Sequence, residues 1–277
     1  MLPNLRLRLA NRPENVLVVR QALTGVAECL GLDAVETNDL NTAVTEACNN
    51  VVAHAYGGAE GPLEVDLQTG PDVLAVLVRD HGIGMPAARR VDHDGLGLAV
   101  IDALSRRAEF LQPADGGTEV RMEFAPGPKS ASLEPIGASG EELSLPNHGS
   151  PREGIDLQVA SSEMARAVLP RVLSVLAARA YFSTDRIADV QLVADVLAAK
   201  AGESITGSYL DVSACVAPRD LELRIGPLQR GHGESLLAAA ADGLAPVIER
   251  LTDEQHRVAL IGHSAETLEL RLVDQRR

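Results

Sequence analysis

Tryptophan is missing from this 277-residue sequence, and three Tyr and three Phe are its whole aromatic content. Its cores must therefore be assembled from Leu, Val, Ile and Ala, and no aromatic platform exists on which nucleic-acid bases stack. Basic residues are outnumbered. The 25 Lys and Arg against 39 Asp and Glu leave a net charge of −14, which repels a phosphate backbone and favours a basic or mixed protein partner. Cys29, Cys48 and Cys215 are far apart, odd in number and without CxxC or Cys/His spacing, so they form neither a disulfide frame nor a zinc cluster and fit reduced core thiols. The opening MLPNLRLRLA lacks the apolar segment of a secretory signal, and no apolar run reaches membrane length. Together these absences predict an acidic, soluble, cytoplasmic protein with no direct nucleic-acid or membrane partner.

What is present is organised around Asp39–Tyr56, DLNTAVTEACNNVVAHAY. Leu40, Ala43, Val44, Ala47 and Val51 recur at helical spacing with no Pro or Gly between them, which predicts one amphipathic helix. Glu46 and Asn50 lie four apart and share a face of it. Before it, Leu5, Leu7 and Leu9 alternate with Arg6 and Arg8 as in a half-buried strand, and Asn11 with Glu14 reads as the capping box of a helix ending at Gly31. After it come two strands, Leu63–Gln68 and Val73–Arg79, a loop at Asp80–Gly84, a helix near Gly97–Arg106 and a strand at Thr118–Phe124. This order predicts an α/β (α+β) two-layer sandwich.

Three further boxes bear on chemistry. Asp80-His81-Gly82-Ile83-Gly84 is a D-x-G-x-G after a strand: a carboxylate there accepts from an exocyclic amine such as adenine's, and the glycines admit a close ring. Gly95-Leu96-Gly97-Leu98 opens a helix whose free N–H groups suit phosphate. Gly116-Gly117-Thr118 precedes the last strand. Each box alone is ordinary loop punctuation, and the Glu–Asn pair alone is an ordinary solvated helix face.

Taken in this order the boxes resemble the GHKL (histidine-kinase-like ATPase) superfamily, and TEACNNVVAHAY looks closest to the bacterial anti-sigma-factor serine/threonine kinases. The resemblance covers residues 4–125 and implies a Bergerat-type fold binding ATP and Mg²⁺. It makes Glu46 the general base and Asn50 the Mg²⁺ ligand. It makes Asp80 the adenine selector, with Gly82, Gly84 and Thr118 framing the base and Gly95, Gly97 and Leu98 holding phosphates. Arg89 and Arg90 fall in the implied lid, Met85–Asp94, which is shorter than this family usually carries. The implied partner is a sigma factor or an anti-sigma antagonist. The implied activity is serine phosphorylation; the alternative is a nucleotide-gated binding module that transfers nothing.

Half of Ala125–Arg152 is Pro, Gly or Ser, so residues 126–152 read as a flexible linker between a domain at 1–125 and another at 153–277. The second half repeats the first: Ile155, Leu157 and Val159 mirror Leu5, Leu7 and Leu9, helices are expected at Ser162–Ala180, Asp185–Ala201 and Ser235–Leu251, and strands at Tyr209–Val216, Asp220–Ile225, Val258–Ile261 and Thr267–Leu272. Opposite Glu46 falls Val196 or Asp195, and opposite Asn50 falls Lys200 or Ala199. The expectation is a tandem duplication whose second copy has lost its ATP site, the two copies forming an intramolecular pseudo-dimer.

Overall fold

The computed structural model describes residues 4–84, 96–114, 116–133, 154–238, 246–260 and 263–275. The chain divides into two compact units, Met1–Leu133 and Glu134–Arg277.

In the first unit, strand β1 (Leu5–Ala10) buries Leu5, Leu7 and Leu9 and pairs them antiparallel with Leu67, Val65 and Leu63 of β2 (Pro62–Thr69). Burying each of these leucines contributes about 1.5–3 kcal/mol. Helix α1 (Pro13–Leu30) starts with Pro at its first position, where a missing N–H costs nothing. Asn11 is not its cap. The capping residue is Arg12, which makes no side-chain cap bond. Asn11 instead ties down a loop, accepting from Gly61 N–H at 2.9 Å and donating to Ala59 O. Gly31 closes α1 in the left-handed region (φ 73°), which a glycine adopts without Cβ strain.

The true capping box lies one helix later. Asp33 accepts from Val35 and Glu36 N–H, Glu36 accepts from Asp33 N–H, and α2 runs Ala34–Asn50. The organising helix thus begins five residues earlier than its apolar spacing predicts. It ends in a π-helical turn, Val51–Ala55. Leu40, Ala43, Val44 and Ala47 are fully buried.

Strand β3 (Leu74–Asp80) follows, then α3 (Leu96–Leu104), β4 (Arg107–Leu111) and β5 (Glu119–Phe124), giving a sheet ordered β4-β5-β3-β2-β1 with every described neighbour pair antiparallel. Strand β4 is absent from the sequence reading. It is a five-residue edge strand with no buried position, so it carries no alternation to detect. Residues Gly127–Ser130, given to the linker by composition, belong to this unit: Lys129 N–H donates to Leu30 O, and Thr69 Oγ1 to Ser130 O.

The second unit contains β6 (Gly154–Val159), α4 (Ser162–Arg179), α5 (Thr184–Ser204), β7 (Leu210–Ala217), β8 (Asp220–Gln229), α6 (His232–Leu237), α7 (Val247–Leu251), β9 (Glu254–Ala259) and β10 (Ala265–Val273). Its sheet order, β6-β7-β8-β10-β9, is that of the first unit element for element. Two expectations need correction. Among the described residues the long helix expected at Ser235–Leu251 is interrupted, α6 ending at Leu237 and α7 starting at Val247. Strand β9 begins four residues before Val258, because its exposed EQHR stretch is an edge. Ile261, the expected end of a strand, and residues 239–245 within the expected Ser235–Leu251 helix lie outside the described residues.

Candidate functional site

The nucleotide-type boxes gather where α2, α3 and the end of β3 meet. Glu46 and Asn50 occupy the last two turns of α2, both partly buried. Asn50 Nδ2 is buried and, among the described residues, has no hydrogen-bond partner, a cost of about 1–3 kcal/mol that an apolar residue would avoid. Gly97, second residue of α3, lies directly on Glu46. An added methyl would overlap the carboxylate, meeting Cδ at 2.9 Å and Cγ at 3.0 Å. The phosphate-type helix start and the helix carrying the carboxylate are therefore packed together through a missing side chain. Leu98 faces the core at 5% exposure, within the first turn where N–H groups lack helical partners. Gly95, with Arg89, Arg90 and the rest of Met85–Asp94, lies outside the described residues.

Asp80 ends β3 at 2% exposure. Its Oδ1 accepts from Gly82 N–H at 2.8 Å, and its own N–H donates to Thr118 O at 3.0 Å. Thr118 thus meets Asp80 through backbone. Gly82 is glycine for a reason the sequence does not disclose: a Cβ there would overlap the carbonyl of Ala55, at the end of the π turn. Gly84 has φ 77° and sits against Gln112 and the Gly117 carbonyl.

Sequence reasoning missed Tyr56. Its hydroxyl donates to Pro62 O at 2.6 Å and accepts from His81 N–H at 2.9 Å. Burial, then the nearby Asp80 and Glu64 carboxylates, push its pKa upward, against the His81 N–H which lowers it. Among the described residues no cluster of three or more His, Cys, Asp or Glu forms a metal centre, and no helix is long and apolar enough to cross a membrane. A metal here would need the Asn50 amide and a ligand's own oxygens.

The family described as histidine kinase-like ATPase domain matches residues 9–124, which contain every candidate from Glu46 to Thr118. A serine-protein kinase RsbW of Bacillus pumilus (strain SAFR-032) is 37% identical over 136 residues, 43% of this chain and 83% of that protein. The chain belongs to the histidine kinase-like ATPase family. A second serine-protein kinase RsbW, from Bacillus cereus (strain Q1), is 27% identical over 133 residues and 82% of its length. A histidine kinase domain from the Erythrobacter litoralis EL346 blue-light activated histidine kinase is 21% identical, with a TM-score of 0.31, over 35% of this chain and 46% of that one.

Hydrogen bonds of the first unit recur in the second at a fixed offset. The bonds Gly31 N→Glu28 O, Leu32 N→Ala27 O and Thr37 N→Asp33 O recur as Tyr181 N→Ala178 O, Phe182 N→Ala177 O and Ile187 N→Ser183 O. At that shared offset of 150 residues, Val196 stands in line with Glu46 and Lys200 with Asn50. Along β8, Leu221, Leu223 and Ile225 take the buried places of Leu74, Val76 and Val78, so the place of Asp80 falls on Pro227. Along β10, Leu268, Leu270 and Leu272 take those of Val120, Met122 and Phe124, and beyond a register shift Leu228 pairs with Glu266. This residue is buried, and its Oε1 accepts from Gly233 N–H at 2.8 Å, at the start of α6.

Proposed function

We propose that the first unit binds ATP with Mg²⁺ and acts as a regulatory protein of the anti-sigma, serine-kinase type, and that the second is a duplicate of it without a nucleotide site. The observation that carries this reading is the α2 pair: a carboxylate at Glu46 and, one turn on, an Asn50 amide whose buried nitrogen is unpartnered among the described residues, against stability. Groups kept at such cost belong to a ligand site more readily than to a core.

In this reading Asn50 would hold the metal through its amide oxygen and Asp80 would accept from the adenine amine. The first-turn N–H groups of α3 would lie against phosphate. The nucleotide, when bound, supplies the transferable phosphoryl group. Glu46 then takes the proton from the serine hydroxyl of a partner, a step worth about 10²–10⁴-fold in rate. The partner is an anti-sigma antagonist bearing that serine, or a sigma factor held under nucleotide control. A net charge of −14 favours a basic face on it.

In the second unit Val196 offers no base, Lys200 no metal-ligating amide and Pro227 no carboxylate. Its fold would serve as a scaffold or partner surface. Calorimetric titration with Mg·ATP tests the whole reading. One site per chain is expected, lost in Asp80→Asn, while Glu46→Gln keeps the site and loses phosphate transfer. Two sites would restore the second unit; none would remove the proposal. Binding with no transfer to any serine-bearing partner would leave the nucleotide-gated module.

A further inference from the structure

The segment joining the Asn50 helix to the first unit's β2 touches the Asp80 loop at three successive residues. Tyr56 Oη accepts from His81 N–H at 2.9 Å. The Ala55 carbonyl fills the space that a Gly82 side chain would need, and the same carbonyl accepts from Ile83 N–H at 2.8 Å. His81, Gly82 and Ile83 are the residues immediately after Asp80, and Gly82 N–H is the group its Oδ1 holds. The tyrosine is fixed on its other sides as well. Its hydroxyl donates to Pro62 O at 2.6 Å, and its ring occupies the place of a side chain at Gly61, so a Cβ there would overlap the ring. Gly61 in turn is pinned by Asn11, through its N–H to Oδ1 and its O to Asn11 N–H. A phenol held at both ends by backbone is a rigid brace, not a rotating surface side chain.

We propose that Tyr56 is a positioning residue for the base-selecting carboxylate: it fixes the peptide after Asp80, and so the direction of that carboxylate, and ties it to the end of the helix carrying Asn50. This deepens the nucleotide reading and rests on it. The phenol's raised pKa keeps it protonated at any physiological pH, so it remains both donor to Pro62 and acceptor from His81. Removing the hydroxyl leaves the ring on Gly61 and the Ala55–Ile83 bond in place. What is lost is the bond to Pro62 O, at the start of β2, and the restraint on His81, one residue from Asp80. The effect should therefore fall on recognition of the base amine, with the fold and the phosphate end little changed.

The experiment is titration of the full chain and its Tyr56→Phe variant with Mg·ATP and with Mg·ITP, in which a carbonyl replaces the amine. Hydrogen exchange at residues 80–84 and in α2 is measured alongside. Loss of the His81 restraint, of the usual worth of a hydrogen bond, predicts about a fivefold to tenfold weaker ATP affinity. ITP affinity should stay within about twofold, and exchange should quicken at 81–83 but not in α2. An unchanged ATP affinity overturns the proposal. So does an equal fall for both nucleotides with faster exchange throughout the unit, the mark of general loosening. Failure of the wild-type chain to bind ATP, or binding indifferent to Asp80→Asn, would instead sink the nucleotide reading and this inference with it, so the two failures are told apart.

Discussion

Glu46 and Val196, in line at the shared offset of 150 residues, differ in access to water as well as in charge. Glu46 is partly exposed, whereas Val196 is at 7% exposure. At that burial, Val196→Glu must bury a carboxyl. Burial disfavours the charged form and raises its folded-state pKa; taking the shift to about 6 from an unfolded value near 4.3, the cost saturates at roughly 2.3 kcal/mol. The folded state then holds the proton more tightly, so stability falls as pH rises from the unfolded pKa to the folded one and is flat beyond. The cost should be roughly 1.5 kcal/mol at pH 5.5 and nearly the full amount at pH 7.5. Urea titration followed by far-ultraviolet circular dichroism at both pH values measures it, in wild type and variant. The mirror substitution, Glu46→Val, should cost nothing or stabilise. A Val196→Glu cost below about 1 kcal/mol and equal at both pH values would refute the argument. It would mean that position 196 faces a wet cleft, and that the second unit has an open site.

Two further outcomes follow from the first unit. Gly97→Ala displaces the Glu46 carboxylate from its place on α3; Ala's better helix propensity, up to about 1 kcal/mol, offsets the rotamer strain of about 0.5–1.5 kcal/mol. The unfolding midpoint should hardly move, while phosphate transfer falls toward the level of Glu46→Gln and Mg·ATP binding persists; an unaltered transfer rate would separate Glu46 from the chemistry. Cys48 is fully buried and its thiol is pushed up to about 12 from 9. It should resist thiol reagents until the chain unfolds. Its contribution to stability, complete below pH 9, should be lost as pH rises from 9 toward 12, and Cys48→Ala should flatten that loss in alkaline unfolding curves. Equal alkaline profiles would count against so deep a burial.

The core strands and long helices were legible because their signal is periodic. Leu5-Leu7-Leu9 and Leu40-Ala43-Val44-Ala47 state their faces in the sequence, and the structure buries them as expected. Boundaries were less legible, since the start of α2 is set by Asp33 and Glu36, polar residues outside the apolar repeat. Strand β4 and the start of β9 could not be read, because edge strands carry no buried alternation. The boxes themselves could be found by their order alone, but the reasons for individual residues could not. Gly82 is glycine because of Ala55 O and Gly97 because of Glu46, contacts made across the fold. Tyr56 carried no local signal at all: its partners, Pro62 and His81, are 6 and 25 residues away.

The comparison of the two units implies an order of stability. The first keeps an Asn50 amide nitrogen with no partner among the described residues and a glycine start to α3 beside a carboxylate; the second has Val196 and Lys200 at the shared offset and caps α6 with a buried Glu266. Freed of the compromises a ligand site imposes, a fold tends to harden. Helix α5 should therefore exchange its amide hydrogens more slowly than α2 in the ligand-free chain. Mg·ATP at a hundred times its dissociation constant adds about 2.7 kcal/mol to whichever unit binds it, roughly a hundredfold slowing of exchange by global opening of that unit. That slowing should appear in α2 peptides and leave α5 peptides where they were. Equal protection of both helices at saturating nucleotide would mean that the second unit either binds ligand itself or opens only together with the first. In that case the two could not be treated as a site and its silent copy.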